Sequence, residues 1–153
     1  MSDANIIENP EHCYLADPFV ITENNKNYCL AEEFDLKSSK GAIVAYELNS
    51  QTAKRIGYAI NESFHMSFPY LFRYEKKIFM IPETSENNDI RIYESLEFPI
   101  KWKLNHVLMK DIFAVDSMIF EHNNKWWLFT NINPDGGPEA CSELYIFNTN
   151  DPL

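Results

Sequence analysis

Four acidic positions and one amide position recur at matching places along this chain. Asp17 and Asp116 each begin an apolar run, and Glu32, Glu83 and Asn131 each end the run that follows. In a hairpin of two antiparallel strands, the start of the first strand and the end of the second are neighbours. Asp17 is therefore expected beside Glu32, and Asp116 beside Asn131. Close carboxylates split their pKa values, so that one stays protonated near neutrality while another is ionised. A reaction class that uses such a pair is glycoside hydrolysis, in which one carboxyl protonates the leaving oxygen and the other activates water or attacks the sugar.

The positions match because the chain repeats. The stretch Asp17 to Glu32 aligns without gaps to Phe68–Glu83 and to Asp116–Asn131, with offsets of 51 and 48 residues. Lys26, Lys77 and Lys125 coincide, as do Tyr28, Phe79 and Trp127. Each unit reads as apolar run, short polar turn, apolar run. Asn24-Asn25 and Asn123-Asn124 suit a tight hairpin because Asn tolerates positive φ, and Glu75-Lys76 takes the same place less ideally. Third strands are expected at Gly41 to Leu48, Ile90 to Ser95 and Leu144 to Thr149. Fourth strands are expected near Lys54 to Ile60 and Trp102 to Met109. No 3.6-residue apolar stripe persists for three turns.

Second strands such as Ile78-Phe79-Met80-Ile81 and Trp126-Trp127-Leu128-Phe129 are apolar on both faces. An antiparallel sheet with one wet face would alternate. Sheets stacked against sheets explain the pattern, and four-stranded units of about 50 residues stacked face to face describe a β-propeller. The expected fold is all-β, a partial propeller of about three four-stranded blades. Residues 1–13 form a lead-in, and the blades cover about 14–62, 63–111 and 112–153, the last incomplete. A propeller typically has about 4–8 blades, so the chain reads as a truncated propeller. It would expose apolar blade faces and self-associate through them, two copies giving a six-bladed pseudo-ring.

Composition narrows the partners. The chain has 153 residues, with 23 acidic against 13 Lys and Arg, a formal charge of −10. That balance argues against a nucleic-acid partner, which needs clustered cations. No apolar run reaches the roughly 18 residues of a membrane span. Met1-Ser2-Asp3-Ala4-Asn5 lacks the basic and apolar regions of a signal peptide. With Cys13, Cys29 and Cys141 matching no disulfide or zinc pattern, the expectation is reduced thiols, a cytoplasmic setting and no metal or other cofactor. His12, His65, His106 and His122 show no ligand spacing.

Ala16-Asp17-Pro18-Phe19, His65-Met66-Ser67-Phe68-Pro69, Ile81-Pro82-Glu83-Thr84 and Ala114-Val115-Asp116, in this order, resemble a known family. It is the propeller domain at the N-terminus of plant glucosamine inositolphosphorylceramide transferases and of related bacterial proteins. More distantly the chain is similar to the five-bladed propellers of glycoside hydrolase families 43, 32 and 68. The resemblance covers about residues 14–149. It implies a five-bladed ring and a glycan or sugar-containing ligand. In the family 43 pattern Asp17 matches the base and Asp116 the auxiliary carboxylate. The acid of that pattern comes from a fourth blade, which this chain does not possess. Glu83 is the substitute acid or a hydroxyl ligand, so the chain alone is expected to be inactive as a hydrolase.

The site thus reads as Asp17, Glu83 and Asp116 in catalytic roles, with Glu32, His65, Ser67 and Asn131 touching substrate. Asp17-Pro18 also has a plain reading as turn chemistry, His65 as a structural linker residue, and Trp126 and Trp127 as core. The loop Asn133-Pro134-Asp135-Gly136-Gly137-Pro138-Glu139 reads as a solvated hairpin loop or a rim of the site. The function expected is a carbohydrate-active propeller fragment, binding a glycan, whose parent hydrolyses or helps transfer sugar. The alternatives are a non-catalytic glycan-binding module and a protein-interaction or self-assembling scaffold.

Overall fold

A computed structural model of the chain describes residues 6–50, 52–134 and 143–153. Eleven strands are described, in three antiparallel sheets. Sheet 1 contains β1 (Cys13–Glu23), β2 (Lys26–Asp35), β3 (Lys40–Leu48) and β4 (Ala53–Ile60), hydrogen-bonded in that order. Sheet 2 contains β5 (Ser67–Tyr74), β6 (Lys77–Glu83), β7 (Asp89–Glu97) and β8 (Lys101–Lys110), in the same order. Sheet 3 contains β9 (Ala114–His122), β10 (Lys125–Ile132) and β11 (Glu143–Thr149), with β10 in the middle. The helical content among the described residues is one 3-10 turn, Ser85–Asn87. The strands stand close to where the repeat places them, though β1 starts at Cys13, four residues before Asp17, and β2 runs to Asp35, three past Glu32. Most of the Asn133–Glu139 loop, with Cys141, lies outside the described residues.

The first hairpin of each sheet closes on two residues of positive φ. They are Asn24 and Asn25 at 50° and 60°, Glu75 and Lys76 at 46° and 65°, and Asn123 and Asn124 at 52° and 58°. Such turns match the right-handed twist of the flanking strands, whereas turns with negative φ would splay them. Asn accepts this conformation at little cost; Glu and Lys do so with strain.

Sheet 2 is covered on both sides, which is why its central strand is apolar throughout. Met80 and Tyr93 pack toward sheet 1 against Leu30, Ile43, Ala45 and Met66. Phe79, Ile81, Ile90 and Ile92 pack toward sheet 3 against Ile119, Trp126, Leu128 and Ile132. Each fully buried side chain of this size stabilises by about 1.5–3 kcal/mol, so these two seams hold the sheets in sequence. The outward face of sheet 1 buries Cys29, Ala31, Val44 and Tyr46 with Leu15. The lead-in lies over it, and the Asn9 side chain accepts a hydrogen bond from the Leu15 N–H at 3.1 Å. No described sheet covers the outward face of sheet 3. Met118, Phe120, Leu144 and Ile146 are all more than a third exposed there. Trp126 belongs to the core; Trp127 points to the uncovered side, its indole N–H donating to the His122 carbonyl at 3.2 Å.

Replacing Glu75 by Asn and Lys76 by Gly is expected to stabilise the chain by about 1 kcal/mol, because both native residues occupy left-handed backbone. Urea denaturation of the double variant checks this.

Candidate functional site: a carboxylate cluster between the sheets

The site begins with a backbone irregularity that each sheet repeats. The β1–β2 register slips between Ala16 and Phe19, the β5–β6 register between Ser67 and Tyr70, and the β9–β10 register beside Val115. Within each slip one residue adopts positive φ: Asp17 at 49°, Phe68 at 44° and Asp116 at 54°. A bulge of this kind bends the strand and re-aims one side chain. Asp tolerates the conformation. A bulky ring does not, and Phe68 is held there by edge-to-face packing on Phe19, with ring centroids 4.9 Å apart.

Opposite the bulges stand the ends of the second strands. Ala16 pairs with Glu32, Ser67 with Glu83 and Val115 with Asn131. Alternation along each second strand then sets direction. Glu32 shares a face with Leu30 and looks toward sheet 2. Glu83 shares a face with Ile81 and looks toward sheet 3. Asn131 shares a face with Trp127 and Phe129 and looks to the uncovered side. Carboxyls from one sheet therefore meet the bulge of the next. Asp17 accepts a long hydrogen bond, 3.4 Å, from the Phe68 N–H, and Glu83 accepts one from the Asp116 N–H.

Asp17, Glu32, Glu83 and Asp116 thus converge, while Asn131 takes the equivalent register and face on sheet 3, where no described sheet follows. Ser67 is buried next to this junction, paired across the strands with Glu83. His65 sits in the linker between sheets 1 and 2. Its Nδ1 accepts from the Gly41 N–H at 2.9 Å, so the neutral ring carries its proton on Nε2, which stands 3.7 Å from Glu32 Oε1. The His65 N–H itself donates to the Glu86 carboxylate. Tyr14 stacks on Phe34 at 4.9 Å, and Phe34 meets the His65 ring at 5.7 Å, giving an aromatic border beside the acids.

The electrostatics follow from this placement. Burial, then the charges of Asp17 and Glu83, push the Glu32 carboxyl up to about 7. Glu83 is also raised, by burial first. The Ser85 hydroxyl at 2.7 Å and the Asp116 N–H work against that rise, and the charges of Asp116 and Asp17 add to it. Asp116 is raised by desolvation and by Asp17. Burial lowers His65, against the opposing influence of Glu86 and Asp17. Glu33, adjacent in sequence to Glu32, is quite different. It faces the other way; burial would raise its carboxyl, but Arg55 at 2.9 and 3.0 Å and the Tyr58 hydroxyl at 2.7 Å outweigh this and lower it.

Gly41 was not singled out as a site residue, yet the cluster depends on it. A Cβ there would lie 2.5 Å from the Met66 carbonyl oxygen, 2.6 Å from Glu32 Oε1 and 2.8 Å from His65. Its one visible signal is rarity, since the chain has only four Gly. Among the described residues no three His, Cys, Asp or Glu side chains are arranged to hold a metal ion. A cavity of about 140 Å³ lies between sheets 2 and 3, walled by residues such as Leu108, Ile119, Trp126 and Phe147, but none of the four carboxyls lines it.

Comparison with known proteins places this arrangement. Residues 2–153 match the family described as glucosamine inositolphosphorylceramide transferase 1, N-terminal. The chain belongs to that family. It is 33% identical over 142 residues to glucosamine inositolphosphorylceramide transferase 1 of Oryza sativa subsp. japonica, covering 92% of this chain and 19% of that protein. The Arabidopsis thaliana protein of the same name is 32% identical, with 92% and 18% covered. The chain therefore spans about a fifth of the length of these relatives.

Among solved structures it is similar to the catalytic domain of a Coprinopsis cinerea GH62 α-L-arabinofuranosidase. The TM-score is 0.66 at 12% identity, over 88% of this chain and 45% of that one. A family 117 glycoside hydrolase of Zobellia galactanivorans gives the same score and identity over 94% and 55%. The three stacked sheets of this family member thus share the fold of propeller glycoside hydrolase domains. No helix among the described residues is long and apolar enough to cross a membrane.

The raised Glu32 carboxyl makes a signed prediction. Folding holds its proton more tightly than the unfolded chain does, so stability falls as pH rises from about 4.5 through about 7. Glu32→Gln removes that cost. Its stability relative to the native chain is expected to be level near pH 4 and higher by on the order of 2 kcal/mol at pH 8.5, read by urea denaturation.

Proposed function

We propose that the chain is a glycan-binding part of a carbohydrate-active, five-bladed propeller. The carboxylate cluster lines the mouth of its central channel. The supporting observation is the convergence of four carboxyls, three of them raised, beside the stacked rings of Tyr14 and Phe34. A sugar presents many hydroxyls, which such acceptors and donors can pair, and apolar faces, which suit Tyr14 and Phe34. The family name and the likeness to glycoside hydrolases point to the same ligand class.

In this reading Asp17 is the base, Asp116 orients and tunes its neighbours, and Glu83 is an acid or hydroxyl ligand. His65 and Ser67 contribute at the border, and Asn131 from the neighbouring register. The parent protein would use the module to hydrolyse a sugar or to assist its transfer. Asp17→Asn keeps a side chain that tolerates positive φ, so the fold should survive. It is expected to lower glycan affinity about 10-fold or more, from the loss of a charged hydrogen-bond acceptor. Titration calorimetry of the native chain and the variant measures this; equal affinities would contradict the assignment.

A second reading, self-association, draws on one feature: the bare apolar face of sheet 3. Uncovered patches of this kind mark interaction surfaces. It predicts a mass above that of one chain by light scattering at micromolar concentration, and a monomeric mass would contradict it.

A further inference from the structure

We propose that Glu32, rather than Glu83, is the proton-carrying group of the cluster, and that it donates a hydrogen bond from its protonated carboxyl to a ligand oxygen. This rests on the glycan reading above and assigns the donor within that site. Three geometric observations carry it.

Glu32 is 5% exposed, and no hydrogen bond from a described residue contributes to its carboxyl's shift. His65 Nε2 stands 3.7 Å from Glu32 Oε1, beyond hydrogen-bond reach. A buried carboxylate without donors is costly, whereas a protonated carboxyl is tolerated and has a proton to give. Glu83 is in the opposite condition. The Ser85 hydroxyl and the Asp116 N–H both donate to it, and donors favour the ionised form.

The groups facing Glu32 come from every packed element. Strand β1 supplies Asp17 and the Tyr14 hydroxyl, β6 supplies Glu83, and the linker supplies a His65 ring whose Nδ1 is already engaged by Gly41. No lysine or arginine contributes to its shift. Strand β3 offers only Gly41, whose missing side chain leaves the space that Oε1 occupies. Glu32 is thus flanked by the charges of Asp17 and Glu83, with no cation among the groups that shift it.

The test uses a printed array of neutral, amino and uronic glycans, probed with the native chain and with Glu32→Gln at pH 5.5, 7 and 8.5. The variant keeps a neutral donor at every pH. Binding that needs protonated Glu32 should weaken about 30-fold in the native chain between pH 5.5 and 8.5, following the protonated fraction of a group near 7. The variant should bind with little pH dependence and exceed the native chain at pH 8.5. A variant whose binding falls with pH as the native chain's does overturns the proposal, as does a flat native profile.

If the native chain binds no array glycan at any pH, the glycan reading fails by itself. Whether Glu32 is the proton-carrying group is then decided by a carbon-13 titration of its carboxyl, identified by its loss in Glu32→Gln. A midpoint near 7 supports the proposal, and one near 4.5 overturns it.

Discussion

One backbone constraint governs this structure: the left-handed residue in the first strand of each sheet. Asp17, Phe68 and Asp116 sit there because the inner strand must bend away from its partner before running on. The bend aims two aspartates at a common region and turns the Phe68 and Asp116 N–H groups toward carboxyls of the preceding sheet. Without the slip, the pleat would continue and these contacts between sheets would be lost. Non-glycine residues in this conformation cost on the order of 1 kcal/mol or more each. That strain, repeated three times, is balanced by the apolar seams beneath.

Those seams also carry the electrostatic burden. Four acids share one region, and burial first, then like charge, raises the proton affinity of three of them. Such a cluster is a local liability, tolerated because Leu30, Ile43, Met80 and Phe79 fix the sheets rigidly below it. Ion pairs elsewhere behave as ordinary structure. Glu94, gripped by Lys77 and Lys103 with Asn105, is lowered to about 2 and stands apart from the cluster. Acids at the periphery are thus paired with cations, whereas those at the sheet ends share a region with one another and have raised proton affinity, the pattern that makes them candidates for a binding region.

Much of this was legible in the sequence, for local reasons. The hairpins announced themselves through Asn-Asn pairs at positions that require positive φ. The doubly apolar second strands announced that sheets cover sheets. Gapless repetition then put Asp17 and Asp116, and Glu32 and Glu83, at equivalent places. What stayed hidden depends on non-local packing. Glu32 and Glu33 look interchangeable in one dimension, yet alternation sends one into the cluster and the other onto Arg55. Asn131 shares the register of Glu83 but faces outward, because no sheet follows on that side among the described residues. Gly41 matters only because a linker residue, His65, folds back over it.

The central claim is that the bulges bring these carboxyls together to receive a sugar. A crystal structure of the chain, soaked with a mixture of short oligosaccharides, tests it most directly. The account predicts saccharide density within hydrogen-bonding distance of Asp17 and Glu32, bordered by Tyr14. Saccharide bound elsewhere, such as on the bare face of sheet 3, with the cluster holding water alone, would contradict it.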